Sequence, residues 1–157
     1  MLLKDFIIQN HTFALQEEAL GWEDAIKIGT DLLCQAGAAS PEYYDAIIRT
    51  TDELGPYYVI APGIAMPHAR PELGAKKTGF ALITLKKPVS FGHEDNDPVD
   101  VILCICAATA QDLNEQVIIE AVTLFDSEEA MDKLRTATRP ETLYAILEEI
   151  EQLSEEE

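Results

Sequence analysis

The chain has 157 residues, enough for one ordinary domain with a single core and too few for two. Eleven Lys and Arg stand against 29 Asp and Glu, a net charge of −18, which argues against nucleic acid or an anionic membrane as the main partner. A hydrophobic content of 47% excludes a disordered acidic tail.

The longest uncharged apolar run, Val101 to Ala110, is about half of what a bilayer crossing needs. The start of the chain, MLLKDFIIQN, carries Asp5 inside its short apolar stretch and has no small-residue cleavage pattern, so it does not read as a signal peptide. Cys34, Cys104 and Cys106 are an odd number set in apolar sequence, which predicts buried thiols and a reduced, cytoplasmic setting. The sequon at Asn10 then has no role.

Helical spacing begins at Trp22, with Ala25, Ile26, Gly29, Leu32, Leu33 and Ala36 on one stripe and Gly37 placed to stop it. Ser40 reads as an N-cap with Pro41 at the first helical position. Tyr44, Ile47, Ile48, Thr51 and Leu54 form the expected buried stripe of that second helix, which Gly55-Pro56 ends.

Tyr57–Ala61 and Thr78–Leu85 are runs of β-branched and aromatic residues bounded by Gly and Pro, and read as strands. Val99–Ala108 is apolar on both faces after Asp100, as a central strand covered on each side must be. Helical spacing resumes near Glu115, and Asp126 is placed to cap a further helix with Glu129 as its reciprocal partner. From Pro140 a last helix carries Leu143, Ile146, Leu147, Ile150 and Leu153 on one face. The expected architecture is one α/β layered domain with a mixed central β-sheet flanked by helices, over residues 1–150. Residues 151–157 form an acidic tail expected to fray, since Glu148 to Glu157 holds six glutamates.

Charge is unevenly divided. Residues 1–87 hold eight basic and eleven acidic side chains, net −3, whereas residues 88–157 hold three and eighteen, net −15. Arg70, Lys76, Lys77, Lys86 and Lys87 fall in one short span.

One segment stands apart, Ala61-Pro62-Gly63-Ile64-Ala65-Met66-Pro67-His68-Ala69-Arg70-Pro71. Three prolines and a glycine fix the backbone around a histidine that follows an apolar strand-like run. Imidazole titrates near neutral pH, so His68 is either a rigidly held nucleophile or a structural histidine. Gly63-Ile64-Ala65-Met66-Pro67-His68-Ala69 resembles the phosphorylation motif of the enzyme IIA components of the bacterial sugar phosphotransferase system, mannitol/fructose type. Gly55–Gly63 (GPYYVIAPG) and Phe91–Val99 (FGHEDNDPV) look most like its ascorbate branch, and the resemblance covers nearly the whole chain.

That resemblance implies a phosphoryl relay in which His68 takes the group from the phosphohistidine of the phosphocarrier protein HPr. His68 then passes it to a IIB partner, phosphorylated on cysteine in the ascorbate branch. The membrane IIC component is involved only indirectly, a homodimer is left open, and neither metal nor nucleotide cofactor is implied. The alternative is a IIA-like regulatory module whose phosphorylation signals nutrient status; a weaker one is a metal-dependent hydrolase using His68 and His93.

Candidates for stabilising the phosphoryl group are Arg70, two positions beyond His68 and in competition with an ion pair to Glu72, and His93. The family places its second histidine near Asn114, where this chain has none, so Asn114 is a further candidate. Mannitol-type members carry an arginine close to the position of Arg49. The loop of Glu94, Asp95, Asp97 and Asp100 reads as a turn through Asp-Asn-Asp-Pro, with a cation site as the competing reading, and His11 as structural.

Overall fold

In the computed structural model, which describes residues 1–156, two adjacent strands form the centre of the molecule. These are β4 (Gly79–Val89) and β5 (Val99–Cys106), paired antiparallel from Gly79↔Cys106 onward. Their side chains alternate between two separate cores. Phe80, Leu82, Val101, Leu103 and Ile105 face one, and Ala81, Ile83, Ile102, Cys104 and Cys106 face the other. Both faces are dry, which is why the sequence of β5 shows no polar alternation.

The sheet is completed by β1 (Phe13–Glu17), parallel to β4, and by β3 (Ile64–Ala65), parallel to β5, with β2 (Val59–Ala61) antiparallel at the edge. The order is β1-β4-β5-β3-β2. One face is covered by α2 (Trp22–Gln35) and α3 (Pro41–Leu54). The other is covered by α1 (Leu2–Asn10), α5 (Ile118–Phe125), α6 (Glu128–Thr136) and α7 (Pro140–Glu156). The short helix α4 (Ala110–Asp112) and a π-helical turn, Leu113–Val117, lead from β5 into α5.

The mixed sheet and flanking helices match the expected architecture, with local departures. Helix α1 and strand β1 were not expected. In α3 the buried face is Tyr43, Ala46, Ile47 and Thr51, and Leu54 is exposed. Ile47 and Thr51 belong to both versions of the stripe, but the face is centred one residue earlier. Tyr44 turns outward, donates to the Glu23 carbonyl and lies under the Lys27 ammonium. Ser127, not Asp126, caps α6, accepting from the Ala130 N–H at 3.2 Å. Helix α7 continues to Glu156, with Glu151 and Glu148 bound to Lys4 of α1. Leu153 on that helix is exposed.

Gly37, at φ +75°, ends α2 where the sequence places a stop. Gly29, in the middle of α2, lets the helix lie directly on the sheet. A Cβ there would press on the Cys104 thiol and stand 2.8 Å from Ile83 Cδ1, both in the buried core. Alanine gains up to about 1 kcal/mol over glycine in a helix, but overpacking a rigid core costs about 1–3 kcal/mol and sometimes more. Gly29→Ala is therefore expected to destabilise the protein, read as a lower urea midpoint with an unchanged slope.

The cysteines pack as expected: Cys104 and Cys106 are buried and Cys34 half-buried. Burial pushes the Cys106 thiol up to about 12, so it does not ionise near neutral pH. Among the described residues, no helix is long and apolar enough to cross a membrane.

Candidate functional site

Parallel pairing of β3 and β5 means that the segments following both strands leave the sheet at the same edge. His68 follows β3, and the α4 to π-helical stretch follows β5. Lys76 and Lys77 precede β4, which starts opposite the end of β5, so they reach this edge as well.

The four residues after β3 are tied down almost atom by atom. The Met66 N–H donates to the Tyr58 carbonyl at 2.9 Å, and the Ile105 N–H of β5 donates to the Pro67 carbonyl at 3.1 Å. The Ala69 N–H donates to the Tyr43 hydroxyl at 3.1 Å, and that hydroxyl donates to the Ile105 carbonyl at 2.7 Å. Tyr43 is fully buried, and burial pushes its phenol well above the ordinary range, so it stays protonated. Proline at 67 can serve here because its missing N–H is not needed.

His68 itself is half-buried. Its Nδ1 lies 2.8 Å from the Met66 carbonyl oxygen, and a carbonyl can only accept, so Nδ1 carries the proton. Nε2 is left with its lone pair. Burial lowers the His68 pKa, opposed by the Nδ1 bond to Met66, and the ring is neutral near pH 7. A neutral imidazole with a fixed tautomer is what nucleophilic attack requires. Tyr57 flanks the ring edge-on, with centroids 5.6 Å apart at 83°, and its hydroxyl donates to the His68 carbonyl.

The sign of the shift sets a measurable pH dependence. The unfolded chain takes up the proton first, so stability supplied by neutral His68 is present above the ordinary histidine value and is lost as pH falls below it. Titration of the His68 ring by NMR is expected to give a midpoint below about 6.5. A midpoint at or above that value would contradict the buried, neutral ring.

The other candidates separate. Arg70 is exposed on the His68 edge, where it makes no ion pair with Glu72 or any other side chain among the described residues. Asn114 is exposed in the π-helical turn on the same edge. Arg49 is exposed on α3, two positions and so about 200° from Ile47 on the buried stripe, and thus turned away from the sheet. Lys86 and Lys87 lie toward the other end of β4, so the run of five cations is split between two edges.

His93 also lies elsewhere. Its Nδ1 accepts from the Asp95 and Asn96 N–H groups at 3.2 and 3.1 Å, and the Asn96 carbonyl accepts from Gly63 N–H at the start of β3. His68 is beyond the other end of that strand. His93 thus closes the acidic loop. Asp97 is the hub of this loop, accepting from Ser90 Oγ and from the N–H groups of Phe91, Gly92 and His93. Burial raises its carboxyl, but these bonds outweigh it and hold Asp97 below the usual carboxylate range. Asp100 pairs with Arg135 of α6, Nε to carboxylate at 3.1 and 3.2 Å. Asp97 is thus bound to the turn itself and Asp100 to α6, Glu94 and Asp95 are exposed, and no group of three or more His, Cys, Asp or Glu among the described residues is arranged to hold a metal ion. His11 sits in the left-handed region at the end of α1 and is exposed.

Residues 6–150 match the model of the family described as "Phosphoenolpyruvate-dependent sugar phosphotransferase system, EIIA 2". The chain belongs to this family. It is 53% identical over 135 residues to the ascorbate-specific PTS system EIIA component of Shigella boydii, covering 86% of this chain and 88% of that one. Among solved structures it is similar to the mannitol-specific cryptic phosphotransferase enzyme IIA CmtB of Escherichia coli, with TM-score 0.82 and 36% identity over 93% of this chain and 97% of that one. It is also similar to the E. coli mannitol IIA solved in complex with phosphorylated mannitol IIB, with TM-score 0.75 and 26% identity over 87% and 93% of the two chains. This EIIA domain is accordingly a phosphotransferase component that relays phosphoryl groups in sugar transport.

The prolines around His68 set it apart in the sequence and the motif resemblance makes it the acceptor candidate, whereas its supports are not visible there. Tyr43 is absent from the stripe that the spacing predicts for its helix. Nothing in local spacing reveals that a phenol at a helix start will meet a loop 26 residues away.

Proposed function

We propose that His68 Nε2 is the phosphoryl acceptor of this EIIA domain, taking the group from the phosphohistidine of HPr and passing it to a cysteine of a IIB protein. The observation that carries this reading is the Nδ1 bond to the Met66 carbonyl, which leaves Nε2 unprotonated on a neutral ring. In acceptance, the Nε2 lone pair forms the new N–P bond as the donor's N–P bond breaks. The departing electron pair stays on the donor imidazole, and the His68 Nδ1 proton stays in its bond to Met66. In donation, a IIB thiolate forms the S–P bond and the pair returns to Nε2.

Such transfers have loose transition states, so catalysis rests on alignment and on charge stabilisation at the equatorial oxygens. Arg70 and Asn114, on the His68 edge, are the side chains proposed to meet those oxygens, and a guanidinium fork suits them. The phosphorylated IIB bound to the mannitol relative supports a IIB partner here. The relatives named as ascorbate-specific support L-ascorbate as the transported substrate of a cytoplasmic relay. Domain limits of 1–150, close to the matched residues, fit this role.

The test is to incubate the protein with phosphoenolpyruvate, enzyme I and HPr. Acid-labile, base-stable phosphate on the peptide containing His68 is the expected result, and an unlabelled protein would sink the proposal. Loss of growth on L-ascorbate in a strain lacking the gene would assign the substrate. Because the acids outnumber the cations so heavily, added salt is expected to slow association with HPr more than the transfer step. Stopped-flow measurement at two ionic strengths separates the two.

A further inference from the structure

We infer that Tyr57 is a positioning residue for phosphoryl transfer, holding the His68 ring in line through its edge-on ring contact and its hydroxyl bond to the His68 carbonyl. The inference rests on His68 as acceptor and adds the element that fixes the ring's second degree of freedom. The Met66 carbonyl, at 2.8 Å from Nδ1, fixes the tautomer and one edge of the imidazole. One hydrogen bond still leaves the ring free to rock about that contact. Tyr57 supplies the second restraint: its ring stands at 83° to the imidazole with centroids 5.6 Å apart, and its own position is fixed by an edge-on contact with Tyr58 at 5.0 Å. Tyr58 in turn is buried, with its hydroxyl 2.9 Å from Thr51 Oγ1 of α3. The chain of contacts therefore runs from the core of α3 to the acceptor.

The hydroxyl of Tyr57 acts on the backbone. Met66 N–H, Pro67 carbonyl and Ala69 N–H are each held by Tyr58, Ile105 and Tyr43, and the His68 carbonyl is held by Tyr57. Burial raises the Tyr57 phenol, so it remains a donor near neutral pH. Tyr57 is nonetheless 42% exposed, unlike Tyr43 and Tyr58 at 0% and 1%. A side chain so open contributes little to the core, and its placement against the acceptor calls for a role other than packing.

Exposure beside the acceptor also suits a simple docking contact, and kinetics distinguish the two. Single-turnover transfer from phosphorylated HPr, measured over a range of HPr concentrations, gives the transfer rate and the half-saturation separately. Tyr57→Leu removes both ring contact and hydroxyl and is expected to slow transfer about tenfold with half-saturation unchanged. Tyr57→Phe keeps the ring and should recover most of that, with a loss of about threefold. Nitrogen-15 relaxation of the His68 ring adds a readout independent of turnover: a rigid ring protonated at Nδ1 in the native protein, and in Tyr57→Leu the same tautomer on a ring that rocks about its Met66 bond. A raised half-saturation with unchanged transfer rate would make Tyr57 a docking residue and overturn the inference. So would native rates and native ring relaxation in Tyr57→Leu. His68→Ala run alongside keeps the premise separate, since labelling of that variant would refute His68 as acceptor whatever Tyr57 does.

Discussion

His68→Ala is expected to abolish phosphoryl acceptance, a loss of at least about 10⁴-fold, because it removes the acceptor nitrogen itself and the neighbouring candidate side chains cannot take its place. Arg70, Lys76 and Lys77 are cations and Asn114 is an amide. The same substitution should leave thermal unfolding nearly unchanged, since His68 is only half-buried and the loop is held by the backbone groups of Met66, Pro67 and Ala69. His93→Ala should do the reverse. It removes the acceptor for the Asp95 and Asn96 N–H groups, costing about 1 kcal/mol of stability, and leaves labelling intact. Labelling kinetics paired with melting curves check both variants. Loss of labelling in His93→Ala with an unchanged melt would show that the acidic loop reaches the acceptor after all.

The second large effect concerns Tyr43. Tyr43→Phe keeps the ring and its packing but leaves the buried Ala69 N–H without its acceptor and the Ile105 carbonyl without its donor. Leaving two buried polar groups unpaired costs about 2–4 kcal/mol, which is large against the stability of one domain. The cost should also appear in function, because Ala69 is the residue next to the acceptor and its freed N–H loosens the loop. The expected result is a lowered urea midpoint together with transfer slowed more than Gly29→Ala slows it at matched stability. Equal slowing in the two variants would reduce Tyr43 to an ordinary core residue.

How far the sequence reached is clearest in the strands. Strand β5 is legible because burial on both faces leaves an unbroken apolar run, and β4 because β-branched residues lie between Gly and Pro boundaries. Strand β1 is not, since its five residues, FALQE, carry neither alternation nor a continuous apolar run and are ordered by pairing with β4. Helix α1 is nine residues long, too short for its spacing to stand out. The displaced stripe of α3 has a similar origin: Tyr43 and Tyr44 are equally apolar on paper, and only the Ala69 and Ile105 partners decide which turns inward.

For the site, His68 is marked by a local rule, three prolines and a glycine around one imidazole. Met66 apart, its supports are not local: Tyr43, Tyr57, Tyr58 and Ile105 come from three other segments. His93, an attractive residue type near an acidic turn, is part of the turn's own hydrogen bonding. Arg49 is exposed on α3, turned away from the sheet by the 100° step of the helix.

The Met66 carbonyl has a consequence for reversibility. Once Nε2 carries the phosphoryl group and Nδ1 keeps its proton, the group that must depart in the next transfer is a neutral imidazole, a good leaving group. A carboxylate in place of the carbonyl would make the ring more basic and strengthen the N–P bond. An uncharged backbone oxygen orients the ring without that penalty, so the bond stays weak enough to hand on. A carrier has to release its cargo as readily as it receives it, and here the choice of one neutral acceptor atom serves that balance.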